Sequence, residues 1–585
     1  MAIKLKPVDA VTVGVGWTGG IIAAELTKAG LTVVGLERGE YRDTDPDFQV
    51  PQIHDELSYG VRLKLIADAQ KETYTFRNNV DQTALPIRYF SGFLPGDGLG
   101  GAGVHWNGVT WRFLPWDFEM RSKTIERYGA AKLGDATSQD WGITYDELEP
   151  YFDRFEYQAA ISGKAGNIKG KIQPGGNPFE GPRSREYPNP PMKMSYAGYL
   201  YHEAAKKLGY HPFIMPSANS TQPYKNPDGA QFGACVYCGY CERFGCEMFA
   251  KASPQLAVLP VALKTGKYEL RTGCHVLKVN LDSSRKRAVS VTYVDRTGRE
   301  FEQPAEMIFL TSFGLNNVRL MLLSGIGAPY DPKTGKGVVG RNYAYQMNTN
   351  GAYFFEDKIF NTFMGAGAMG VSIDDFNGDN FDHAGVDFIG GASISVNTNG
   401  ARPIQYHPVP PGTPTWGAEW KKAVTRYYNR TILINAQGGV QAYRGNYLDL
   451  DPTYRDAYGQ PLLRITFDWG PHELNQSKFM AERIKQIGKA LGAGKVAAAP
   501  RTGHYDSVPY QSTHNTGGAI MGTDPKTSAV NKFLQSWDVH NVFVLGASAF
   551  PQNAGYNPTG TVGALAYWTA DAVIKRYVKS PGALV

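Results

Sequence analysis

Cysteine is scarce in this 585-residue chain, and four of its five cysteines fall within twelve positions. A chain of this length buries most of its apolar surface, so it needs no disulfides to hold its fold. No segment approaches about 18 continuous apolar residues, so no membrane span is expected. No run of five basic residues occurs, and the net charge of +6 is spread out, which gives nucleic-acid binding little support. The sequence also has no internal repeat and no low-complexity tract.

Glycine (67) and tyrosine (34) are plentiful, which favours a loop-rich protein with aromatic-lined surfaces over a helical bundle. The length allows two to four domains or one large interleaved body. The first residues, MAIKLKPVDAVTVGVGWTGG, enter a structured motif at once and leave no room for a secretory signal. Taken alone, the chain is expected in the cytoplasm. A folded protein exported by a partner's signal would have the same appearance.

The front of the chain has the pattern of a dinucleotide-binding unit. Apolar residues 11–15 lead into Gly14-x-Gly16-x-x-Gly19, a helical pattern follows, and a second apolar strand ends at Glu37. In this motif Gly14 makes the turn, Gly16 admits a pyrophosphate and Gly19 lets helix meet strand. The helix N-terminus suits phosphates, and the Glu37 carboxylate suits a ribose hydroxyl of FAD or NAD. The alternative is a glycine-rich turn in another doubly wound sheet. The cofactor-binding residues predicted here are Gly14, Gly16, Trp17, Thr18, Gly19, Glu37 and Arg38.

The cysteine group has the spacing C-x2-C-x2-C-x4-C, at Cys235, Cys238, Cys241 and Cys246. Iron–sulfur clusters are held by thiolates, whereas zinc usually takes two C-x2-C pairs separated by a longer stretch. We therefore predict an iron–sulfur cluster, with zinc and buried or redox-active thiols as the alternatives. Four ligands permit [4Fe-4S], whereas [3Fe-4S] needs three. Lone Cys274 is predicted to be a small core residue.

Further stretches resemble the glucose-methanol-choline (GMC) oxidoreductases, which are FAD enzymes. They are PGDGLGGAGVHWNG (95–108), EMIFLTSFGLNNVRLMLLSGIG (306–327), GVVGRN (337–342), GNYLDLDP (445–452) and the tail from STHNTGG to GTVGALA (512–566). The resemblance covers the chain from end to end. Within the family, the cysteine group and the GVHWNG loop are most similar to the large subunits of membrane-bound gluconate 2-dehydrogenases. The fructose and sorbitol dehydrogenases come next.

The resemblance implies an α/β fold with a Rossmann-like FAD-binding domain and an interleaved α+β substrate domain built on an antiparallel sheet. The FAD-binding domain would comprise residues 1–120, 200–345 and 510–585, and would carry the cysteine loop. The substrate domain would comprise residues 121–199 and 346–509.

Two stretches in the implied substrate domain, DFIGGASISV (387–396) and RTILINAQGGVQAY (430–443), are predicted strands from their β-branched content. Residues 163–192 are rich in Gly, Pro and Asn, which suits a surface excursion.

The catalytic pair implied by the resemblance is His514 and Asn557. Alcohol oxidation removes a hydride from carbon, which flavin N5 accepts, and a proton from oxygen, for which histidine is the usual base. His514 would be that base, and the Asn557 amide would hold the substrate oxygen. Two alternatives stay open: His514 only satisfies a buried hydrogen-bond network, or His504 is the base.

The resemblance implies that the glycine-rich loop 95–108 contacts the flavin. His105 corresponds to a histidine that binds FAD covalently in some relatives, so the resemblance suggests the same bond here. A hydrogen-bonded histidine beside the flavin is the alternative. Asn107 would neighbour the isoalloxazine ring, and Val276 would contact adenine. The resemblance also assigns cofactor contacts to Gly100, Gly101, Ala547 and Thr559.

Substrate recognition is less well specified by the sequence. Sugar hydroxyls need amides and aromatic faces, which are plentiful in residues 406–420 and 505–510. A carboxylate such as gluconate also needs an arginine. Arg112, Arg402 and Arg444 are candidates, although each has the alternative role of an ion-pair residue. The resemblance implies oxidation of a secondary alcohol of a sugar acid or sugar, with D-gluconate to 2-keto-D-gluconate as the leading reaction and sorbitol, fructose or 2-ketogluconate as alternatives.

Electrons would leave through the flavin and the cluster to another protein, because the chain has no C-x-x-C-H haem motif. The resemblance implies a multihaem cytochrome c subunit that contacts the membrane and passes electrons to quinone. It also implies a small subunit whose twin-arginine signal exports both chains to the periplasmic face of the bacterial inner membrane. Two further hypotheses remain: a GMC oxidase that uses oxygen and has a zinc-binding cysteine loop, and a non-catalytic subunit that only carries cofactors.

Overall fold

The computed structural model describes residues 2–49, 65–90, 92–400 and 406–584. Two large sheets dominate this part of the chain, and each has its own cluster of buried apolar side chains. Among the described residues, no helix combines the length and the apolar character that crossing a bilayer requires.

The first large sheet starts with the predicted dinucleotide-binding unit. The strand Val8–Val13 leads through the glycine-rich turn into the helix Trp17–Lys28, which returns to the parallel strand Val33–Glu37. The second strand is buried along its whole length, as expected for a parallel sheet covered on both faces. The predicted strand–turn–helix–strand order is therefore confirmed.

Eight strands of the described residues form this sheet, and distant parts of the chain supply them. The spatial order is Tyr268–Thr272, Val33–Glu37, Val8–Val13, Glu300–Leu310, Ala288–Val294 and His275–Leu281, with Ile3–Lys4 and Val542–Val544 also paired to Glu300–Leu310. Residues 305–310 of that long strand run parallel to their neighbours, whereas residues 300–304 pair antiparallel with 290–294. One strand thus joins the parallel nucleotide-binding part to an antiparallel extension.

The second large sheet is antiparallel and has six strands. In spatial order they are Lys495–Ala498, Asn348–Phe354, Thr431–Gly438, Ala392–Asn399, Gly365–Ile373 and Phe213–Ile214. The strands predicted within 387–396 and 430–443 are therefore confirmed. Helices Pro471–Ala490 and Tyr196–Lys207 cover one face, on which Ile394 and Ile434 are buried.

Smaller elements complete the described fold. A four-stranded sheet consists of Tyr447–Arg455, Pro461–Thr466, Thr75–Arg77 and Leu85–Pro86. Two-stranded pairs join Tyr224–Lys225 to Gln231–Phe232, Ala344–Tyr345 to Asn515–Thr516, and Asn167–Ile168 to Lys171–Ile172. The other α-helices are Ala102–His105, Pro115–Phe118, Met120–Tyr128, Tyr145–Gln158, Pro254–Ala257, Leu259–Lys264, Gly314–Ser324, Ala418–Tyr427 and Thr559–Ala572. The assignment of chain segments to two domains stays a prediction.

Candidate active site

A cavity of about 470 Å³ brings together segments from the whole length of the chain. Its walls come from the glycine-rich turn, the loop 95–108, the antiparallel sheet and the C-terminal segment. Fifteen of the sixteen predicted cofactor and catalytic residues line it: Gly14, Gly16, Trp17, Thr18, Glu37, Arg38, Gly100, Gly101, His105, Asn107, Val276, His514, Ala547, Asn557 and Thr559. The missing one is Gly19, which lies behind the turn. Their individual roles stay predictions.

The glycine-rich turn has the geometry that a dinucleotide needs. Gly14 has a positive φ of 94°, and a Cβ on Gly19 would lie 2.1 Å from the Gly14 carbonyl oxygen. Gly16 precedes the helix Trp17–Lys28 without any side-chain cap, which leaves the first amides available to phosphates. Glu37 accepts hydrogen bonds from the amides of Val15 (3.0 Å) and Gly39 (2.9 Å), and burial raises its pKa. These residues fit FAD.

His105 presents a buried ring nitrogen in the wall of this cavity. The residue is 4% exposed, and its Nε2 has no hydrogen-bond partner among the described residues. Burial, together with the nearby positive charge of Lys251, lowers the pKa of His105 to about 4, so the imidazole is neutral at pH 7. An unsatisfied buried polar atom is costly, and a flavin in the cavity would supply its missing partner.

His514 is held in one orientation by Gln346. The Gln346 Nε2 donates to the carbonyl oxygens of Ala554 (2.7 Å) and Tyr556 (3.1 Å), so its Oε1 has to be the atom that faces His514. That oxygen accepts a hydrogen bond from His514 Nδ1. The proton of the neutral imidazole therefore belongs on Nδ1, and Nε2 keeps its lone pair. This is the tautomer that a general base at Nε2 requires.

The orientation of the Asn557 amide also follows from its hydrogen bonds. Its Oδ1 accepts hydrogen bonds from Trp111 Nε1 (3.2 Å) and Gln437 Nε2 (3.0 Å), so its Nδ2 is the atom 3.2 Å from His514 Nε2. Trp111 is fixed in turn by stacking on Tyr556, with ring centroids 4.7 Å apart. A basic nitrogen and an amide donor are therefore hydrogen-bonded to each other in the wall of the cavity, and an alcohol oxygen that bound to both would have to replace this hydrogen bond.

The rival histidine is in a different place. The His504 side chain is 73% exposed, its Nδ1 pairs with Asp468, and the residue does not line the cavity. Of the two histidines considered from the sequence, His514 lines the cavity and His504 does not, and the role of His514 as the base stays a prediction.

One wall of the cavity is lined with amides and hydroxyls because of strand alternation. Successive side chains of a strand point to opposite faces. In the strand Ala392–Asn399, the four alternate residues Ser393, Ser395, Asn397 and Asn399 line the cavity, whereas Ile394 and Val396 lie in the apolar cluster behind it. The neighbouring strand supplies Asn435 and Gln437 to the same wall, and Asn348 and Gln511 also contribute. Such a surface matches the hydroxyls of a sugar.

The earlier expectations for substrate contacts are only partly met. Tyr510 lines the cavity, but none of the described residues of 406–420 does. Arg112 is buried between Glu149 and Glu156, which indicates a structural role. Arg444 binds backbone carbonyls at the surface, and Arg402 lies outside the described residues. The arginines that do line the cavity are Arg38, Arg243 and Arg319, and the Arg243 guanidinium lies 4.6 Å from the Tyr510 ring centroid.

The four clustered cysteines line a second cavity, of about 40 Å³. Asn219 Nδ2 donates to Cys241 Sγ, and the amide of Lys251 donates to Cys246 Sγ, both at 3.4 Å. Burial raises the pKa of Cys235 to about 12 and that of Cys238 to about 11, with a smaller contribution from the neighbouring thiols. In the described part of the chain, no group of three or more His, Cys, Asp and Glu side chains is arranged to hold a metal ion.

The loop that carries the four clustered cysteines is joined to the loop 95–108 by direct hydrogen bonds. The Arg243 amide donates to the His105 carbonyl (2.6 Å), and Lys251 Nζ donates to the Trp106 carbonyl (2.7 Å). Trp106 Nε1 donates in the opposite direction, to the Ala252 carbonyl (2.8 Å). Three hydrogen bonds therefore connect the wall of the large cavity with the cavity that the cysteines line.

Comparison with known proteins agrees with this geometry. Sequence profiles described as GMC oxidoreductase match residues 138–348 and 442–566. The gluconate 2-dehydrogenase flavoprotein of Pantoea cypripedii is 51% identical, over 100% of this chain and 96% of its own length. The chain belongs to the GMC oxidoreductase family. As a GMC oxidoreductase it is an FAD-dependent enzyme that acts on CH–OH donors, and the predicted fold class is confirmed.

More distant GMC relatives also match along their full length. The fructose dehydrogenase large subunit of Gluconobacter japonicus is 25% identical, over 98% of this chain and 99% of its own. The 2-methyl-1,2-propanediol dehydrogenase of Mycolicibacterium austroafricanum is 26% identical, over 99% and 97%. The crystal structure of pyridoxine 4-oxidase from Mesorbium loti superimposes on this chain with a TM-score of 0.56 at 17% sequence identity. The superposition covers 96% of this chain and 98% of the pyridoxine 4-oxidase chain. At this identity the similarity supports the fold alone.

The residues that orient the predicted catalytic pair were not recognised from the sequence. Gln346, Gln437 and Trp111 have no motif of their own, and the fold brings them to His514 and Asn557 from distant segments. The one available signal was strand alternation, which places Gln437 and Asn435 on one face of a predicted strand.

We expect the pH profile to report an unusually acidic base. Burial disfavours the imidazolium and lowers the pKa of His514 to about 4, below the ordinary value of about 6.5. His514 should therefore stay neutral, and able to accept a proton, as the pH falls from 7 to about 5. Measurement of kcat/KM with an artificial electron acceptor should show an acid limb near pH 4. An acid limb at 6.5 or above would contradict the assignment.

Replacing Gln346 tests the tautomer argument. Gln346→Met removes the acceptor for His514 Nδ1–H, so the proton can move to Nε2 and the base is lost. We expect kcat/KM to fall roughly a hundredfold or more, the lower end of general-base contributions, with flavin still bound. Gln303→Met is the matched control, because Gln303 is also buried and donates to two backbone carbonyls, those of Lys6 and Pro304. An equal loss in both variants would mean that only folding was affected.

Proposed function

We propose that this GMC enzyme oxidises a secondary alcohol of a sugar acid or sugar, with D-gluconate to 2-keto-D-gluconate as the leading reaction. The observation that carries the proposal is the His514–Asn557 pair, which opens onto a wall of amides and hydroxyls. The relative with 51% identity, named for gluconate, supports this substrate over the sorbitol, fructose and 2-ketogluconate alternatives.

The proposed reaction assigns a role to each group in the site. Bound FAD supplies the hydride acceptor, and the glycine-rich turn with Glu37 would hold its adenine dinucleotide part. Asn557 Nδ2, which donates to His514 Nε2 in the structure, would donate to the substrate oxygen instead and so orient it. His514 Nε2 accepts the hydroxyl proton while its Nδ1 stays bound to Gln346. The proton and the hydride together account for the two hydrogens that an alcohol loses.

The buried ring nitrogen of His105 supports a bond to FAD. We propose that Nε2 either carries a covalent link to the flavin or hydrogen-bonds to it, since either satisfies an otherwise unpaired atom. Denaturation in acid followed by filtration separates the two: covalent flavin stays with the protein, whereas hydrogen-bonded flavin passes the filter.

We also propose that Cys235, Cys238, Cys241 and Cys246 bind an iron–sulfur cluster, of three or four irons. The support is that the four thiols line one cavity and that this loop is bonded to the loop beside the flavin. A one-electron centre next to a two-electron flavin can pass electrons on singly. Substrate electrons would then travel to a cytochrome c subunit and on to quinone.

The partners and the location follow from the same proposal. A relative named as a large subunit supports assembly with further chains. We propose a multihaem cytochrome c subunit as the electron acceptor and a small subunit with a twin-arginine signal, which would export the complex to the periplasmic face of the inner membrane. Membrane contact would then be made by the partners.

A substrate comparison tests the proposed reaction. With an artificial acceptor, gluconate should give the highest kcat/KM among gluconate, 2-ketogluconate, sorbitol and fructose. His514→Ala should lower it roughly a hundredfold to ten-thousandfold, the usual contribution of a general base, while flavin stays bound. His504→Ala should be close to wild type, because that side chain lies outside the cavity. Full activity of His514→Ala would point to another base or to a non-catalytic subunit.

Metal analysis tests the cluster. Anaerobically purified protein should contain three or four irons and show broad absorbance near about 400 nm with an EPR signal, as expected of thiolate-bound clusters. Cys238→Ser should lose iron, whereas Cys274→Ser should keep it, because Cys274 is buried away from the cysteine cavity. Zinc in place of iron, with peroxide release during turnover, would support the oxidase alternative instead.

A further inference from the structure

Tyr556 connects both members of the predicted catalytic pair to the interior of the protein. It directly precedes Asn557, and its ring stacks on Trp111, which donates to the Asn557 amide oxygen. Its carbonyl oxygen accepts a hydrogen bond from Gln346 Nε2 (3.1 Å), and Gln346 in turn orients the His514 ring. One residue is therefore attached to both members of the pair by separate routes.

The hydroxyl of Tyr556 is held by a buried carboxyl group. Both Tyr556 and Asp374 are fully buried, and the Tyr556 hydroxyl donates to Asp374 Oδ2. Asp374 directly follows the strand Gly365–Ile373, which pairs with neighbouring strands on both sides in the antiparallel sheet. The outer end of the Tyr556 ring is thus anchored to that sheet.

Asn177 supplies a second donor to the same carboxyl oxygen. It belongs to the glycine- and proline-rich stretch 163–192, yet it is only 4% exposed. Its Oδ1 accepts a hydrogen bond from the Phe179 amide (3.0 Å), so its Nδ2 is the atom that donates to Asp374 Oδ2 (2.5 Å). Burial raises the pKa of Asp374 to about 7, and the hydrogen bonds from Tyr556 and Asn177 oppose this shift. Three segments that are far apart in the sequence therefore meet in one buried hydrogen-bonded group.

We propose that the hydrogen-bonded group of Tyr556, Asp374 and Asn177 positions the catalytic pair for proton transfer. This rests on the catalytic roles proposed above for His514 and Asn557. None of the three members lines the large cavity, so they are positioning residues that act through other side chains. Hydrogen bonds in such a water-excluded place are stronger than in water, which suits them to hold a ring in one position.

Loss of this anchor should slow the chemical step more than it weakens substrate binding. Without the bond to Asp374, the Tyr556 ring would be free to tilt, and Trp111 would shift with it. The rate is sensitive to such a shift, because the reacting atoms have to be held in a near-attack geometry. The wall of amides and hydroxyls would still bind the sugar.

Tyr556→Phe removes the hydroxyl and keeps the ring. In the flavin-loaded enzyme, with the best substrate and an artificial acceptor, kcat should fall roughly ten- to a hundredfold while KM changes less than about twofold, as expected for misplacement of a catalytic group by up to about 1 Å. Asp374→Ala should give a similar loss, whereas Asp374→Asn keeps an acceptor oxygen and should stay close to wild type.

Tyr353→Phe is the matched control. Tyr353 is also fully buried, and its hydroxyl donates to the Ile484 carbonyl (2.7 Å), in the apolar cluster behind the cavity wall. Its removal should leave kcat unchanged even if the protein becomes less stable.

A double-mutant cycle shows whether Tyr556 and Asp374 act as one unit. The variant that combines Tyr556→Phe with Asp374→Ala should lose no more kcat than the more affected single variant, because effects within one hydrogen-bond network are not additive. Losses that multiply would mean independent roles and would overturn the proposal.

Other results would overturn it as well. They are an unchanged kcat in Tyr556→Phe, an equal loss in Tyr353→Phe, and an equal loss in Asp374→Asn and Asp374→Ala. If Tyr556→Phe does not retain flavin, Asn177→Ala takes its place: kcat should fall there too, and an unchanged kcat would contradict the proposal. Full activity of His514→Ala would refute the proposed function itself, whereas inactive His514→Ala beside unchanged Tyr556→Phe would refute only the positioning role.

Discussion

The hydrogen bonds of Gln346 fix which nitrogen of the His514 ring carries the proton, and the proposed proton transfer depends on that. Two backbone carbonyls fix the Gln346 amide, the amide fixes the proton on His514 Nδ1, and the Nε2 lone pair then faces the Asn557 amide. Such a chain works only where each member is buried or packed, because water would compete for the same atoms. The proposed role of His514 as the base therefore depends on a rigid scaffold, which the two large sheets provide.

The local parts of this scaffold could be predicted from sequence. The spacing of the glycines at 14, 16 and 19 is enough to predict the glycine-rich turn. A tight turn and a close helix–strand contact exclude other residues at these positions. The strands Ala392–Asn399 and Thr431–Gly438 were likewise recognisable from their β-branched residues. Where a structure is set by neighbouring residues, the sequence carries enough information.

The orienting residues could not be predicted, because their roles depend on contacts across the chain. Trp111 reaches Asn557 over 446 positions, and Gln346 reaches His514 over 168. Lys251 is only five positions from Cys246, yet nothing in the sequence indicates that its ammonium turns back to the Trp106 carbonyl. The same reason applies to the cavity wall: the described residues of the aromatic stretch 406–420 do not line the cavity although their composition is suitable, whereas Tyr510 and alternate strand residues do.

The two cavities meet at one boundary, which is only a few residues thick. Arg243 lies in the wall of the large cavity and Phe244 in that of the small one, while the Arg243 amide bonds to the His105 carbonyl. Movement of the cysteine loop would therefore displace the loop that carries His105, so the walls of the two cavities are mechanically coupled. If the large cavity holds the flavin and the cysteines hold a one-electron centre, as proposed above, this junction would keep the distance between them short and constant. The rate of electron transfer depends on such a distance.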